Sequence, residues 1–299
     1  MSGNPILRTS PRKYRKPNER TQLLWDAILE VMNEYDRMSV RQLFYQMVSR
    51  GHVEKTEQAY KRVADASVQM RLAGALPYRK IVDGHRERRR TFAHNGIHQA
   101  LESAADMYRR NYWINQLRHV EVWSEKDALS GIIHPICDEF GVTYVASRGF
   151  PSLTIRYQSA MDFRRIGKPV TIFYFGDHDA SGRKISDNLQ EELQQHGADV
   201  TVLRMALEPQ QIISYRLPTR PGKTTDSRHV GFAREYGDAS VELDALPPNV
   251  LGDIVRGSIR SRINWEEWER IQETEALERV TMRSLAGVEW IPGEEYDTA

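Results

Sequence analysis

The stretch Lys168 to Ser186, KPVTIFYFGDHDASGRKIS, determines the fold that the rest of the sequence predicts. Val170 to Phe175 is β-branched and aromatic, which predicts a buried strand. Side chains alternate along a strand, so Asp177 and Asp179 are expected to point together into solvent at its carboxyl end, with His178 opposite. Two adjacent carboxylates repel unless a cation lies between them, and their oxygens suit Mg²⁺.

The same acidic pair also has a purely structural interpretation. Asp179 or Ser181 would then cap a helix that begins near Arg183, because short polar side chains accept hydrogen bonds from the first N–H groups of a helix. The residues of this stretch alone leave both the metal site and the cap open.

Three more strand-like runs accompany this stretch, with helical patterns between them. They are His119 to Ser124, Val142 to Ser147 and Asp199 to Met205. Alternating strands and helices predict an α/β fold with a parallel sheet, whose ligands gather at the carboxyl ends of the strands. Glu125 follows the first run, so we expect it to share one rim with Asp177 and Asp179.

Glu125 at the end of one strand and DHDASG (Asp177 to Gly182) at the end of another form a pattern that resembles the Toprim domain. Topoisomerases, bacterial primases and several DNA nucleases share this domain. The segments SEKDA (Ser124 to Ala128), RGFPS (Arg148 to Ser152) and VELDALPPNVLGDIV (Val241 to Val255) are similar to segments of the topoisomerase VI A subunit and its relative, the meiotic double-strand-break protein. The resemblance covers most of residues 117 to 262. It implies that Glu125, Asp177 and Asp179 hold Mg²⁺.

The amino-terminal part predicts helices at residues 18 to 36 and from Ser39, as N-cap, to about Arg50. In the second helix an apolar stripe marks the core face; its members are Val40, Leu43, Phe44, Met47 and Val48. Tyr45 is off this stripe, and the helical step places it over Arg41, one turn earlier. The ordinary interpretation of Tyr45 is a ring in the core with its hydroxyl in water.

The segment VRQLFYQM (Val40 to Met47) is similar to the motif of the same family in which an arginine precedes an aromatic residue and a tyrosine. The resemblance implies that Tyr45 is the nucleophile that cleaves DNA, with Arg41 beside it. Glu57 to Leu72 predicts a third helix, and Tyr78 to Val82 before Asp83-Gly84 is typical of one arm of a β-wing. A winged helix, the fold in which this family carries its tyrosine, would therefore precede the Toprim domain.

We accordingly expect three parts of the chain. They are a basic flexible arm (1–20), a winged-helix DNA-binding domain (21–112) and a Toprim metal-binding domain with carboxyl-terminal helices (113–299). Ile97 to Arg110 predicts a connecting helix, Arg216 to Arg234 a long loop, and further helices are expected near residues 251–263 and from Trp265 onward.

The net charge is only +1, but the positive charges are unevenly placed. Basic side chains cluster in residues 1–20 and again in residues 79–90, as in segments that contact phosphate backbones. A solvated tail and turn would have the same composition. The candidate DNA-binding residues are Arg79, Lys80, Arg86, Arg88 and Arg148.

The composition, 40% hydrophobic and 28% charged over 299 residues, predicts a globular chain with no membrane partner. No apolar run is long enough to span a membrane, and the polar amino terminus lacks a signal-peptide core. The single cysteine, Cys137, is expected to be buried in a helix, which fits a reducing cytoplasm.

The resemblance implies an enzyme that makes Mg²⁺-dependent double-strand breaks in DNA through a 5′-phosphotyrosyl intermediate. It also implies a homodimer in which the tyrosine of one subunit acts with the metal site of the other. Relatives that relax DNA work with a separate ATPase subunit. This chain has no Gly-rich nucleotide loop and resembles a reduced A subunit, expected to act either alone or with a separate ATPase partner. Two alternatives stay open: a Toprim endonuclease that activates water without a covalent intermediate, and a DNA-binding relative without catalysis.

Overall fold

The computed structural model describes residues 17–82, 93–221 and 229–287. Its contacts divide the chain into two compact units, one formed by residues 1–86 and 118–261 and the other by residues 87–117 and 262–299. The candidate residues that the structure describes all belong to the first, larger unit. The expected boundaries after residues 20 and 112 stay a prediction.

The described residues form the following helices and strands. The helices are α1 (Glu19–Glu34), α2 (Val40–Ser49), α3 (Glu57–Leu72), α4 (Ile97–Met107), α5 (Ser130–Glu139), α6 (Leu153–Ile166), α7 (Ala180–Gln195), α8 (Pro209–Ser214), α9 (His229–Tyr236), α10 (Pro248–Arg260) and α11 (Trp265–Ala286). The strands are β1 (Met38–Ser39), β2 (Ile81–Val82), β3 (His119–Ser124), β4 (Thr143–Ala146), β5 (Val170–Phe175), β6 (Val200–Ala206), β7 (Arg220–Pro221) and β8 (Ala239–Ser240).

The centre of the larger unit is a parallel sheet of four strands in the order β4-β3-β5-β6. The α/β prediction is therefore confirmed. Every residue of β5 is buried, because the strand has neighbours on both edges and packed side chains on both faces. Trp123, Tyr174, Ile185 and Leu189 belong to the hydrophobic core of this sheet.

The register of β3 and β5 creates the rim that the sequence predicts. Ser124 pairs with Phe175 at the carboxyl ends of the two strands. The backbone N–H of Glu125 donates to the carbonyl oxygen of Phe175 at 2.8 Å, so Glu125 follows β3 where the acidic loop follows β5.

The three amino-terminal helices have the expected positions. Asn18 caps α1, and Ser39 caps α2 through a capping box in which the side chain of Gln42 bonds back to the Ser39 N–H. Gly51 has a φ of +74°, a left-handed conformation that ends the α2 segment.

The observed strand pairing differs from the β-wing that the sequence predicts. Tyr78–Lys80 forms a 3₁₀ turn, and β2 pairs in parallel with β1 rather than beginning an antiparallel hairpin. Asp83 and Gly84, the predicted turn, lie outside the described residues, and the winged-helix assignment stays a prediction.

The expectation of a loop from Arg216 to Arg234 was wrong for its last part. Residues from His229 onward form α9, and β7 pairs with β8 in antiparallel orientation. Tertiary contacts explain the helix: the rings of Phe232 and Tyr236 pack against His178 at centroid distances of 5.2 and 5.4 Å. Residues 222–228 lie outside the described part of the chain.

The smaller unit contains α4 and α11, which pack against each other. Tyr112 and Trp113 contact Trp268 at ring centroid distances of 4.6 and 5.9 Å. The helix predicted from Ile97 to Arg110 ends at Met107, and the helix predicted from Trp265 is confirmed. In the described part of both units, no helix has the length and apolarity that crossing a membrane requires.

Two helical glycines offer a test of the tight approach of the acidic loop to α7. An added Cβ at Gly182 would stand 2.3 Å from the carbonyl oxygen of Asp177, whereas at Gly257 it would meet nothing within 4 Å. We expect Gly182→Ala to lower the free energy of unfolding by about 1–3 kcal/mol through overpacking. The control Gly257→Ala should raise it by about 0.5–1 kcal/mol. Urea unfolding of both variants measures the difference, and equal effects would contradict the close approach.

Candidate functional site

A single ammonium group, that of Lys126, lies among three buried carboxylates. Its Nζ is 2.8 Å from Asp177 Oδ2, 3.6 Å from Glu242 Oε2 and 3.7 Å from Asp244 Oδ2. Burial disfavours the charged ammonium, but the carboxylates of Asp177 and Asp244 outweigh it and raise the pKa of Lys126. Lys126 is therefore the cation that makes this concentration of negative charge tolerable.

Asp177 does not point into solvent, so that expectation was wrong. It is only 5% exposed, and its Oδ1 accepts the backbone N–H of Leu243 at 2.8 Å. The segment that covers it is fixed by a two-way backbone bridge between His178 and Val241, with N to O distances of 2.9 and 3.0 Å. Burial raises the pKa of Asp177, and Lys126 opposes the shift.

Glu125 lies on the other side of the Asp177 backbone. Its Oε2 accepts the N–H of Asp177 at 3.1 Å. A Cβ at either Gly176 or Gly182 would lie 3.1 Å from the same oxygen, so the two glycines leave room for this carboxylate. Burial and the neighbouring charge of Asp177 raise the pKa of Glu125. The rim therefore holds Glu125 and Asp177 close together, as the sequence predicts.

Asp179 is the N-cap of α7. Its Oδ1 accepts the N–H of Gly182 at 2.8 Å, which confirms the structural interpretation of this residue. The charge of Asp179 also contributes to the raised pKa of Glu125, so the two carboxylates are electrostatic neighbours. The capping bond occupies one oxygen of Asp179, and the role of this side chain as a metal ligand stays a prediction.

Arg204 stabilises the acidic loop of residues 176–179 by hydrogen bonds to its backbone and to the start of α7. This largely buried guanidinium donates at 3.0 Å to the carbonyl oxygens of both Gly176 and Gly182. His178, between the two aspartates, is also buried, and burial lowers its pKa to about 4. His178 is therefore neutral at physiological pH, and its observed contacts are structural.

Tyr45 is buried, although it lies off the apolar stripe of α2. Only 3% of it is exposed, and burial raises the pKa of its hydroxyl to about 12. Besides α1 and α3, α2 contacts the 3₁₀ turn Leu243–Ala245, which is remote in sequence. The apolar periodicity of α2 does not reveal this contact, so the expectation that Tyr45 turns away from the core was wrong, and its burial agrees with the ordinary interpretation of a ring in the core.

Arg41 connects α2 to the acidic rim. Its Nε and Nη2 lie 3.0 and 2.9 Å from Glu242 Oε2, and Arg220 Nη1 lies 2.5 Å from Glu242 Oε1. The side chain of Glu242 is only 3% exposed, and the cations Lys126, Arg41 and Arg220 together lower its pKa against the effect of burial. Through Glu242, the two candidate catalytic residues Tyr45 and Arg41 share one cluster with the candidate metal ligands.

An open cavity of about 680 Å³ lies against this cluster. Its polar and charged lining side chains are Ser39, Arg41, Tyr60, Arg71, Glu125, Lys126, Asp127, Arg148 and Asp244. Cations and carboxylates therefore face the same cavity, an arrangement suited to an anion that is bound together with a metal ion.

The candidate DNA-binding residues differ in their exposure and in their contacts. Arg148 lines the cavity, and its mostly exposed side chain pairs with Asp127 at 2.6 Å. Arg79 is exposed, whereas Lys80 Nζ donates to the carbonyl oxygens of Met32 and Tyr35 near the end of α1. Arg86 and Arg88 lie outside the described residues. A DNA-binding role for these five residues stays a prediction.

Several residues of the cluster were absent from the sequence prediction. They are Lys126, Arg204, Arg220, Glu242 and Asp244, together with Lys55, whose Nζ lies 5.2 Å from the centroid of the Tyr45 ring. The segment VELDALPP contained a usable signal, because Glu242 and Asp244 repeat the two-residue spacing of Asp177 and Asp179 within an apolar run. Nothing in the local pattern of Lys55 or Arg220 distinguishes them from ordinary surface cations.

The donor set fits a hard divalent cation in its chemistry. Glu125 and Asp177 supply carboxylate oxygens, and burial raises the pKa of both although the charge of Lys126 opposes the shift. Within residues 17–82, 93–221 and 229–287, no three His, Cys, Asp or Glu side chains stand in a ready metal-binding arrangement.

No known protein family matches the sequence of this chain, and no curated protein matches it. Its function is therefore inferred from the side chains of the site.

Asp244 gives a test of the electrostatics of the cluster. It is 0% exposed, neither of its oxygens accepts a hydrogen bond from the residues described, and burial raises its pKa from 3.8 to about 6. A raised carboxyl pKa contributes stability below pH 3.8 that is lost as the pH rises through 6. We expect Asp244→Asn to raise the free energy of unfolding by about 1–3 kcal/mol at pH 7.5, with a smaller gain near pH 4.

Urea unfolding at both pH values measures this effect, and Asp253→Asn on the exposed face of α10 is the matched control. The control should change stability by less than about 0.5 kcal/mol. Destabilisation of Asp244→Asn at pH 7.5 would show instead that pairing with Lys126 outweighs the cost of burial.

Proposed function

We propose that this chain is a DNA-cleaving enzyme of topoisomerase VI A type, with a winged-helix domain that carries Tyr45 and a Toprim domain that carries the acidic rim. The observation that carries the proposal is the contact of α2 with the Glu242 to Ala245 segment. This contact brings Tyr45 and Arg41 into one cluster with Asp177, because Glu242 and Asp177 both pair with Lys126.

In the proposed reaction the hydroxyl oxygen of Tyr45 attacks a backbone phosphorus of DNA. The bond from phosphorus to the 3′ oxygen breaks, the 5′ phosphate stays on Tyr45, and the 3′ oxygen leaves and takes up a proton. With a pKa of about 12, the hydroxyl of Tyr45 is protonated at neutral pH and must lose its proton as it attacks. Burial and the charge of Glu242 disfavour the phenolate, and the charges of Arg41 and Arg220 only partly oppose them.

Arg41 also has the chemistry to stabilise the phosphate oxygens, since a guanidinium offers paired donors to an oxyanion. Glu125, Asp177 and Asp179 would hold Mg²⁺, which supplies positive charge against the leaving oxygen. Lys126 holds the carboxylate of Asp177 in place at 2.8 Å. The proposed setting is a homodimer on double-stranded DNA in the cytoplasm, acting either alone or with a separate ATPase subunit.

The covalent step is tested by incubating the protein with supercoiled plasmid and Mg²⁺ and stopping the reaction with detergent. We expect linear DNA whose 5′ ends carry protein, with loss of at least 10³-fold in cleavage rate for Tyr45→Phe, because the nucleophile is removed. Gel electrophoresis before and after protease digestion measures both products. Tyr157→Phe, at a half-exposed position of α6, is the matched control and should cleave like the wild type.

Other outcomes identify the alternatives. Cut DNA with free ends from both the wild type and Tyr45→Phe would indicate a Toprim endonuclease. Binding without any cutting would indicate a non-catalytic relative. Undiminished cutting by Asp177→Asn in Mg²⁺ would show that the proposed metal ligands are wrong.

Mixing two inactive variants tests which subunit supplies the tyrosine. If the tyrosine acts with the metal site of the partner, a mixture of Tyr45→Phe and Asp177→Asn contains dimers with one intact site. We expect this mixture to nick plasmid at up to about a quarter of the wild-type rate, since half of the dimers are mixed and each has one of two sites. Nicked circles on a gel measure it. Differently tagged chains show whether mixed dimers form. If they form and the mixture does not nick plasmid, the tyrosine and the metal site of the same subunit act together.

A further inference from the structure

Three cations act on Tyr45: Lys55 lies over its ring, and Arg41 and Arg220 are electrostatic neighbours of its hydroxyl. Arg41 and Arg220 both contact Glu242, and Lys55 Nζ stands 5.2 Å from the centroid of the Tyr45 ring. Glu242 is the one carboxylate that pairs with any of the three within the part of the chain that the structure describes. These cations come from three separate segments, namely α2, the loop between α2 and α3, and β7.

Glu242 uses only part of each guanidinium. It engages Nε and Nη2 of Arg41, and it engages Nη1 of Arg220, whose Nε donates to Ser240 Oγ at 3.4 Å. Among the described residues, Arg41 Nη1 and Arg220 Nη2 have no hydrogen-bond partner. Arg41 and Arg220 are also 45% and 33% exposed in their side chains, while Glu242 lies beneath them. The carboxylate thus orients both groups and leaves donors for a ligand from solvent.

Lys55 has no carboxylate of its own in the described structure. Its Nζ donates to the carbonyl oxygen of Pro218 at 2.9 Å, which leaves two further N–H donors on the ammonium. Burial lowers its pKa, and the repulsion of Arg220 adds to the effect. Lys55 and Arg220 repel each other, and Arg41 adds a third positive charge near them. A bound anion would stabilise this arrangement.

We propose that Lys55 and Arg220, together with Arg41, form a binding site for one phosphate group of the DNA backbone beside Tyr45. The ligand class is a phosphodiester, because the guanidinium groups that Glu242 orients and the ammonium of Lys55 keep N–H donors that match its non-bridging oxygens. This inference rests on the proposed function and deepens it, since it assigns to Lys55 and Arg220 the binding of the phosphate group that Tyr45 attacks.

The test compares Lys55→Gln and Arg220→Gln with the charge-matched surface variants Lys184→Gln and Arg165→Gln. Fluorescence anisotropy of a labelled duplex, titrated with protein at several KCl concentrations, gives the affinity and its salt dependence. We expect each site variant to weaken binding about 10-fold or more and to reduce the slope of log K against log salt by up to about 0.9. Lys55→Arg and Arg220→Lys should recover part of the affinity, and circular dichroism melting checks that all variants fold.

A second probe separates this inference from the proposed function. Inorganic phosphate, observed by the broadening of its ³¹P resonance, should bind the wild type and bind Lys55→Gln and Arg220→Gln much more weakly. If phosphate binds in this way but the wild type does not cleave DNA, the phosphate site is supported and the proposed function is overturned. Wild-type cleavage, with duplex and phosphate binding unchanged in both site variants, would overturn the phosphate site and leave the proposed function standing.

Discussion

The structure of the site depends on the burial of carboxylates around one ammonium group. Asp177, Glu242 and Asp244 come from two distant segments, and all three approach Lys126 within 4 Å. Removing such charges from water costs several kcal/mol each. Glu242 is compensated by Arg41 and Arg220 as well, whereas Asp177 and Asp244 depend on Lys126. The raised pKa values of Asp177 and Asp244 express the imbalance. A protein that keeps such an arrangement sacrifices stability, as is typical of functional sites.

Glu242 extends this constraint to the amino-terminal helices. By pairing with Arg41, Arg220 and Lys126, it is the residue through which α2 and the rim of the sheet share charge. Tyr45 is buried as a consequence, because α2 is covered on both faces. The proposed nucleophile is therefore held in a defined position by packing, as effective catalysis requires of a reacting group.

The sequence predicts the parts of this arrangement that depend on local pattern. The strands β3 and β5, the helices α1 to α3 and the rim with Glu125 and Asp177 all follow from periodicity, caps and strand order. The burial of Asp177 and Tyr45 does not follow, because the segment that covers both is remote in sequence and belongs to neither local pattern. The loop prediction fails at residues 229–234 for the same reason, since the contacts of Phe232 and Tyr236 with His178 are tertiary.

The two-way backbone bridge between His178 and Val241 has a mechanical consequence. It joins the loop that carries Asp177 and Asp179 to the segment that carries Glu242 and Asp244, as adjacent strands are joined in a sheet. The bridge, together with the hydrogen bond from the Leu243 N–H to Asp177 Oδ1, fixes the distance between the two acidic segments. Arg41 and Arg220, which pair with Glu242, are thereby connected to the Asp177 loop through backbone hydrogen bonds as well as through Lys126.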